Sequence, residues 1–202
     1  MKAMSREMLL IGLGMAILSS CALLAPANVE TRKEMLTKVP LDLPEGGTRP
    51  ATLLVLPPET SAAYDTTQMA YEIRPHEIAY FGRTEWGEKP SQMIHRLVVQ
   101  TLENARYVAA VVTPPFMGPY THSLRTEILA LQQDFTTQPA TLQLTLRAQL
   151  TAEAGNRVVG TKEISVREPM QERTPYAGAV AANDAMAKAL TQLAEFVRAN
   201  TS

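Results

Sequence analysis

Between Thr141 and Leu150 the chain reads TLQLTLRAQL, with Leu142, Leu144, Leu146, Ala148 and Leu150 on every second position. Thr141, Gln143, Thr145, Arg147 and Gln149 fall between them. Strand side chains alternate between faces, so this run predicts a strand with one covered and one wet face, the habit of antiparallel sheets. Gly155-Asn156 is a tight-turn signal leading into a further strand over 157–167. The segment 124–135 fits the strand before it, although its leucines also suit a helix. Upstream, TLLVLPP at 52–58 is a continuous apolar run stopped by two prolines, which predicts a buried strand. Met69, Tyr71 and Ile73 alternate with Ala70 and Glu72, and the period resumes at Ile78 and Tyr80 after Arg74-Pro75-His76, as in a hairpin. Residues 107–112 make another apolar strand.

Two stretches change period. In PSQMIHRLVVQTLEN, Pro90 suits a first helical turn, and Ile94, Leu97, Val98 and Leu102 form one stripe. In the segment from Thr174 to Asn200, Thr174-Pro175 makes a helix start. There Ala179, Ala182, Met186, Leu190, Leu193 and Val197 line one side, with alanines that permit close approach to a sheet. The order β-β-β-α-β-β-β-β-α predicts an α+β fold: a mostly antiparallel sheet with two helices packed on one face. No internal repeat interrupts it.

The N-terminus follows a different pattern. Lys2 and Arg6 precede an apolar run from Met8 to Leu18, then come Ser19, Ser20 and Cys21, the only cysteine in the chain. LSSC looks like a bacterial lipobox, in which the cysteine sulfur takes a diacylglycerol, the chain is cut before it, and the new amine is acylated. Each buried CH₂ contributes about 0.8 kcal/mol, and a single chain binds only reversibly, so several chains on one residue make detachment negligible. Two rivals stand beside this reading. No charge occurs from Met8 to Val29, about the 20 residues a spanning helix needs. An ordinary cleaved signal is the other. Gly12 and Gly14 begin a GxG pattern, but no strand precedes it and Ile17 stands where a third glycine belongs. Ala22 after the cysteine points to the outer membrane, since bacterial sorting retains lipoproteins with Asp there. Pro26, Pro40, Pro44, Gly46-Gly47 and Pro50 make 21–50 read as a tether, with 32–37 a candidate edge strand inside it. The expected division is a signal peptide over 1–20, a lipidated tether over 21–50 and a folded domain over 51–202.

Composition changes the picture little. With 202 residues, 46% hydrophobic and 19% charged, the chain suits one ordinary globular domain. A formal net charge of −1 gives no basic footprint for nucleic acid. His76, His95 and His122 sit at no metal-ligand spacing, and no GxSxG elbow, P-loop or kinase element occurs. Glu85 and Glu88 flank Trp86, but two carboxylates in a polar loop are ordinarily a solvated patch. The expectation is therefore a non-enzyme with no metal and no cofactor beyond the acyl groups on Cys21. Three features stand above background. Tyr71, Tyr80 and Trp86 lie in an aromatic stretch that either packs a helix onto the sheet or contacts a partner or an acyl chain. Phe116 and Met117 sit in the proline-stiffened TPPFMGP, either tucked under the domain edge or offered for docking. The wet row Gln143, Thr145, Arg147, Gln149 is able to support ring or sheet-edge association.

On these residues the chain resembles the ABC-type transport auxiliary lipoprotein family. The resemblance rests on the LLVLPP strand, Tyr64-Asp65 followed by Met69-x-Tyr71, the stretch from Tyr80 to Trp86 ending at Pro90, and the helix AVAANDAMAKALTQLAEFV. Family members often carry an aromatic-rich strand soon after the cysteine, where this chain has ETRKEMLTK. The resemblance implies a non-enzymatic outer-membrane lipoprotein facing the periplasm. It would receive the far end of a lipid-transport bridge built from an MCE-domain protein and its permease. Only Cys21 carries over with a role; Tyr71, Tyr80 and Trp86 carry over as pattern positions. A domain that itself carries an acyl chain, a structural lipoprotein of another envelope complex, and a homo-oligomer remain open.

Overall fold

The computed structural model describes residues 30–201. In chain order its strands are β1 (Arg32–Glu34), β2 (Arg49–Val55), β3 (Glu59–Thr60), β4 (Gln68–Glu72) and β5 (Ala79–Trp86). Helix α1 (Pro90–Ala105) follows, then β6 (Val108–Val112), β7 (His122–Asp134), β8 (Thr141–Ala152), β9 (Arg157–Pro169) and helix α2 (Pro175–Asn200). The fold is α+β. The segment 124–135, open between strand and helix on its leucines, is a strand.

The long strands β7, β8 and β9 form an antiparallel meander. Its second turn is a short 3-10 segment in which Gly155 at φ 75° and Asn156 at φ 47° take the left-handed conformation. The other edge of β7 is completed by three short parallel strands laid end to end. β2 pairs at Leu53–Val55 with His122–Leu124, β3 at Glu59–Thr60 with Glu127–Ile128, and β4 at Ala70–Glu72 with Gln132–Asp134. Pro57 and Pro58 cannot donate to a ladder, which is why one continuous strand becomes several. Outside β2 lies β6, parallel; outside β4 lies β5, antiparallel; outside β5 lies β1, parallel.

Leu142, Leu144, Leu146, Ala148 and Leu150 all point into the core, as their period requires. Both helices cover that face. α1 contributes Met93, Ile94, Leu97, Val98 and Leu102, and α2 contributes Ala182, Met186, Leu190, Leu193 and Val197. Thr174 caps α2, its Oγ1 accepting the Ala177 N–H at 3.2 Å. The opposite row of β8 is less wet than its polarity predicts. Thr145 is buried, its hydroxyl 3.1 Å from that of Ser165, while Arg147 lies between Glu127 at 3.0 Å and Glu163 at 3.6 Å.

The folded unit begins at Thr31, twenty residues before the expected boundary at 51. Leu36 is only 3% exposed, and its N–H points at the Met93 sulfur 3.4 Å away. The amides of Thr37 and Lys38 both donate to Asn183 Oδ1. Farther on, the Tyr107 hydroxyl donates to the Pro44 carbonyl and Arg198 to that of Glu45. Gly46 has no room for a side chain, since a Cβ there would lie 2.9 Å from both Arg198 and Tyr107. Prolines and glycines thus shape a strap, where their composition suggested a linker. The signal peptide, Cys21 and the tether as far as residue 29 lie outside the described residues. Leu36→Ala is expected to destabilise the protein by about 2–4 kcal/mol, the cost of a buried large-to-small change. Urea denaturation checks this, because the same change in a solvated tether would leave the midpoint unmoved.

Candidate functional site

The residues singled out for contact separate into three places. Tyr71 and Tyr80 point to opposite faces of the β4–β5 hairpin, because Tyr71 pairs with Ala79 and Tyr80 with Ala70. Tyr71 packs with Phe81 at 4.5 Å between ring centroids and with Phe135 at 5.8 Å; Phe81 and Phe135 meet edge-on at 6.3 Å. The Arg173 guanidinium lies 4.7 Å from the centroid of the Phe135 ring, and its Nη2 donates to the Phe135 carbonyl at 2.9 Å. On the other face the Tyr80 hydroxyl donates to Ala63 O at 3.0 Å. Nearby, Tyr64 donates to Gln132 Oε1 at 2.6 Å, and Gln132 donates to Glu72 at 3.0 Å. Burial pushes the Tyr64 phenol up, with Tyr80 and Glu72 adding to the shift. These bonds pin the Ser61–Thr67 loop onto the sheet, so Tyr80 is a clamp within the fold.

Trp86 does not belong on a contact surface. It is 2% exposed at the end of β5, inside the core with Leu36 and Met93. The aromatic density around it serves packing. Met117 is the opposite case, 97% exposed on the proline-rich loop after β6. Phe116 is half-buried and folds back on its own loop, where Gly118 leaves room for the ring: a Cβ there would stand 2.6 Å from it. Met117 is therefore the candidate that presents apolar surface to solvent. Phe81 belongs to the same aromatic stretch of the sequence as Tyr71 and Tyr80, whereas Phe135 and Arg173 were not found as members of the Tyr71 group from sequence. Phe81 sits diagonally across the hairpin, a spacing that could have been read; Phe135 and Arg173 arrive through tertiary packing alone.

Asp134, the residue before Phe135, anchors the same corner. Burial pushes its carboxyl up, but Thr136 and Arg167 outweigh this and hold it below the usual carboxylate range. Thr136 donates through its hydroxyl at 2.5 Å and its amide at 2.9 Å, and Arg167 lies at 3.3 Å. Two clefts lie away from these groups. One, of about 1,090 Å³, lies between the Pro40–Thr48 strap and the end of α1 at Glu103–Arg106. The second, of about 570 Å³, is bordered by His122, Glu153, Arg157 and Asn200. Burial depresses the His122 pKa. Among the described residues no group of three or more His, Cys, Asp or Glu side chains is placed to hold a metal ion. Among them, too, no helix is long and apolar enough to cross a membrane.

Comparison with known proteins places these features in a wider set. The model of the ABC-type transport auxiliary lipoprotein component matches residues 36–197. Protein XCC0632 from Xanthomonas campestris, of the DUF330 family, superimposes with a TM-score of 0.75 at 20% identity, covering 84% of this chain and 95% of that one. An uncharacterized protein gives 0.65 at 9% identity over 86% and 99%. A hypothetical protein from Chlamydia trachomatis gives 0.51 at 9% over 75% and 100%. At such identities the likeness is one of fold. No curated protein matches the sequence.

Asp134→Asn tests the corner. An ionised Asp134 with a lowered folded pKa stabilises the fold above the unfolded value near 4, and that contribution disappears as pH falls through the folded value. The variant is expected to lose about 1–2 kcal/mol at pH 7. It should also lose less additional stability than the parent between pH 5 and pH 2, measured by urea denaturation across that range.

Proposed function

The chain belongs to the ABC-type transport auxiliary lipoprotein family, and from that membership we propose that it works as a docking component held to the outer membrane by acyl chains on Cys21. The coarse statement, a lipoprotein component of a transport system, comes with the family. The finer one is that the folded body receives the periplasmic end of an MCE-type lipid-transport assembly. The supporting observation is Leu18-Ser19-Ser20-Cys21 standing ten residues before the first residue of the folded unit. Ten extended residues span at most about 35 Å. An anchor at Cys21 would thus keep the body close against the membrane rather than let it range across the periplasm.

The mechanism is positional. Anchoring confines the body to a thin layer, which raises its effective concentration for any partner arriving there. No step of bond making is assigned to it. Met117 supplies the contact in this reading, because a flexible thioether on a stiff proline loop offers apolar area with little backbone ordering on binding. Two clefts carry charged borders, Glu103 and Arg106 in one and Glu153 and Arg157 in the other, which favours docking over the housing of an acyl chain.

Cys21→Ala is expected to give a folded protein that leaves the membrane fraction and fails to support transport. Cell fractionation with a transport assay checks it; full function from a soluble periplasmic form would overturn the anchor mechanism. Met117→Glu is expected to change stability by less than about 0.5 kcal/mol, as exposed substitutions do. It should lower the yield of in-envelope crosslinks to the MCE-domain protein, read by mass spectrometry; an unchanged yield would move the docking surface elsewhere.

A further inference from the structure

Among the described residues four strands have one unpaired edge: β1 with three residues, β3 with two, β6 with five, and β9 with thirteen. β9 is hydrogen-bonded to β8 alone, so its outer row of N–H and C=O groups has no strand beside it. Proteins commonly blunt such an edge by shortness, a proline or a bulge. Here the stretch Thr161–Arg167 pairs with β8 in unbroken register, and proline appears only at its far end, Pro169.

The charges along this edge have a specific order. Lys162-Glu163-Ile164-Ser165-Val166-Arg167-Glu168 carries opposite signs at positions equidistant from Ser165. Set antiparallel to a second copy about a two-fold axis through Ser165, Glu163 of each copy faces Arg167 of the other. Lys162 likewise faces Glu168, and Ile164 faces Val166. Glu168 is nearly buried and already holds Lys188 at 2.5 Å, so the charge pair offered across the axis is Glu163 with Arg167, and directly opposed strand residues lie close enough for such a pair to count. We propose that β9 is a self-pairing edge, joining two copies of this chain in an antiparallel dimer centred on Ser165.

The existing structure already builds half of the resulting charge ladder. Glu127 on β7, Arg147 on β8 and Glu163 on β9 lie in one cross-strand row, with Arg147 bridging both carboxylates. Arg167 of the second copy extends that row, in which signs then alternate across four strands. The Glu163 side chain is 56% and the Arg167 side chain 53% exposed, and Arg167, which also contacts Asp134 and Gln143, would share its guanidinium between Asp134 and Glu163 of the second copy. Because the contact is isologous, pairing consumes the long edge of both copies and leaves only the short β1, β3 and β6 edges among the described residues. The assembly closes at two.

Crosslinking of the full-length chain in its own membrane tests this. Ser165→Cys, treated with a short bismaleimide, is expected to give a dimer above the background of the parent chain. Thr161→Cys should not, because the two Thr161 positions lie about 27 Å apart at 3.4 Å per residue. In the Ser165→Cys background, Glu163→Arg alone and Arg167→Glu alone each set like charges opposite each other and should lower the dimer about tenfold. Co-expressed, the two variants face each other with opposite charges, and the dimer should return. That recovery also shows that both variants fold. No dimer at Ser165, equal dimer at Thr161, adducts to a different polypeptide, or no recovery on co-expression would each overturn the proposal.

Discussion

The structure depends on satisfying both edges of β7. This thirteen-residue strand runs through the middle of the sheet with Leu124, Ile128 and Leu131 in the core, so an unpaired amide along it would cost as much as a lost hydrogen bond. One edge is met by a single partner, β8, over nearly its whole length. The other is met piecemeal by β2, β3 and β4. The breaks between those pieces let the chain leave the sheet and return. One departure, through Ser61–Thr67, forms the loop that Tyr64 and Tyr80 pin down. A separate departure, not at one of these breaks but after β5, becomes α1 and brings the chain back at β6, beside β2.

Much of this was legible, and the illegible parts have physical causes. The period-two leucines of β8 and the alanine-rich stripe of α2 identify their elements because both bury one face continuously. β1, expected as an edge strand within 32–37, is one at Arg32–Glu34, whereas β3, two residues long, is too short to show any period. Strand direction leaves little trace in alternation, so the parallel pairing of β2 with β6 and β7 was not read, although its unbroken apolar run suits a strand flanked on both sides. The strap before Arg49 misled for a different reason. Its prolines and glycines set turns for packing against Tyr107 and Arg198, and composition alone does not separate that use from a flexible linker.

The candidate contact residues show the same division between local and tertiary information. Trp86 and Met117 are both conspicuous large apolar side chains near loop ends, yet one is in the core and the other in solvent. What separates them is covering material. β1 lies along β5 with Glu34 opposite Trp86, and Leu36 and Met93 join the same core. Among the described residues no strand lies along the Thr113–Pro119 loop, whose own Phe116 turns inward and leaves Met117 outside. A residue's chemistry gave its capacity for contact; its neighbours decided which contact it makes.

Anchoring and self-pairing constrain each other. If two copies are held in one membrane by acyl chains on Cys21, a two-fold axis along the membrane normal places both anchors at the same height above the bilayer. An antiparallel strand pair of the kind centred on Ser165 has its axis perpendicular to the local sheet. The combined sheet would then lie broadly parallel to the membrane in the neighbourhood of β9, with the helices on one side and the Glu127–Arg147–Glu163 row on the other. Confinement to a surface also favours the pairing, because two anchored copies lose less translational freedom on meeting than two dissolved ones.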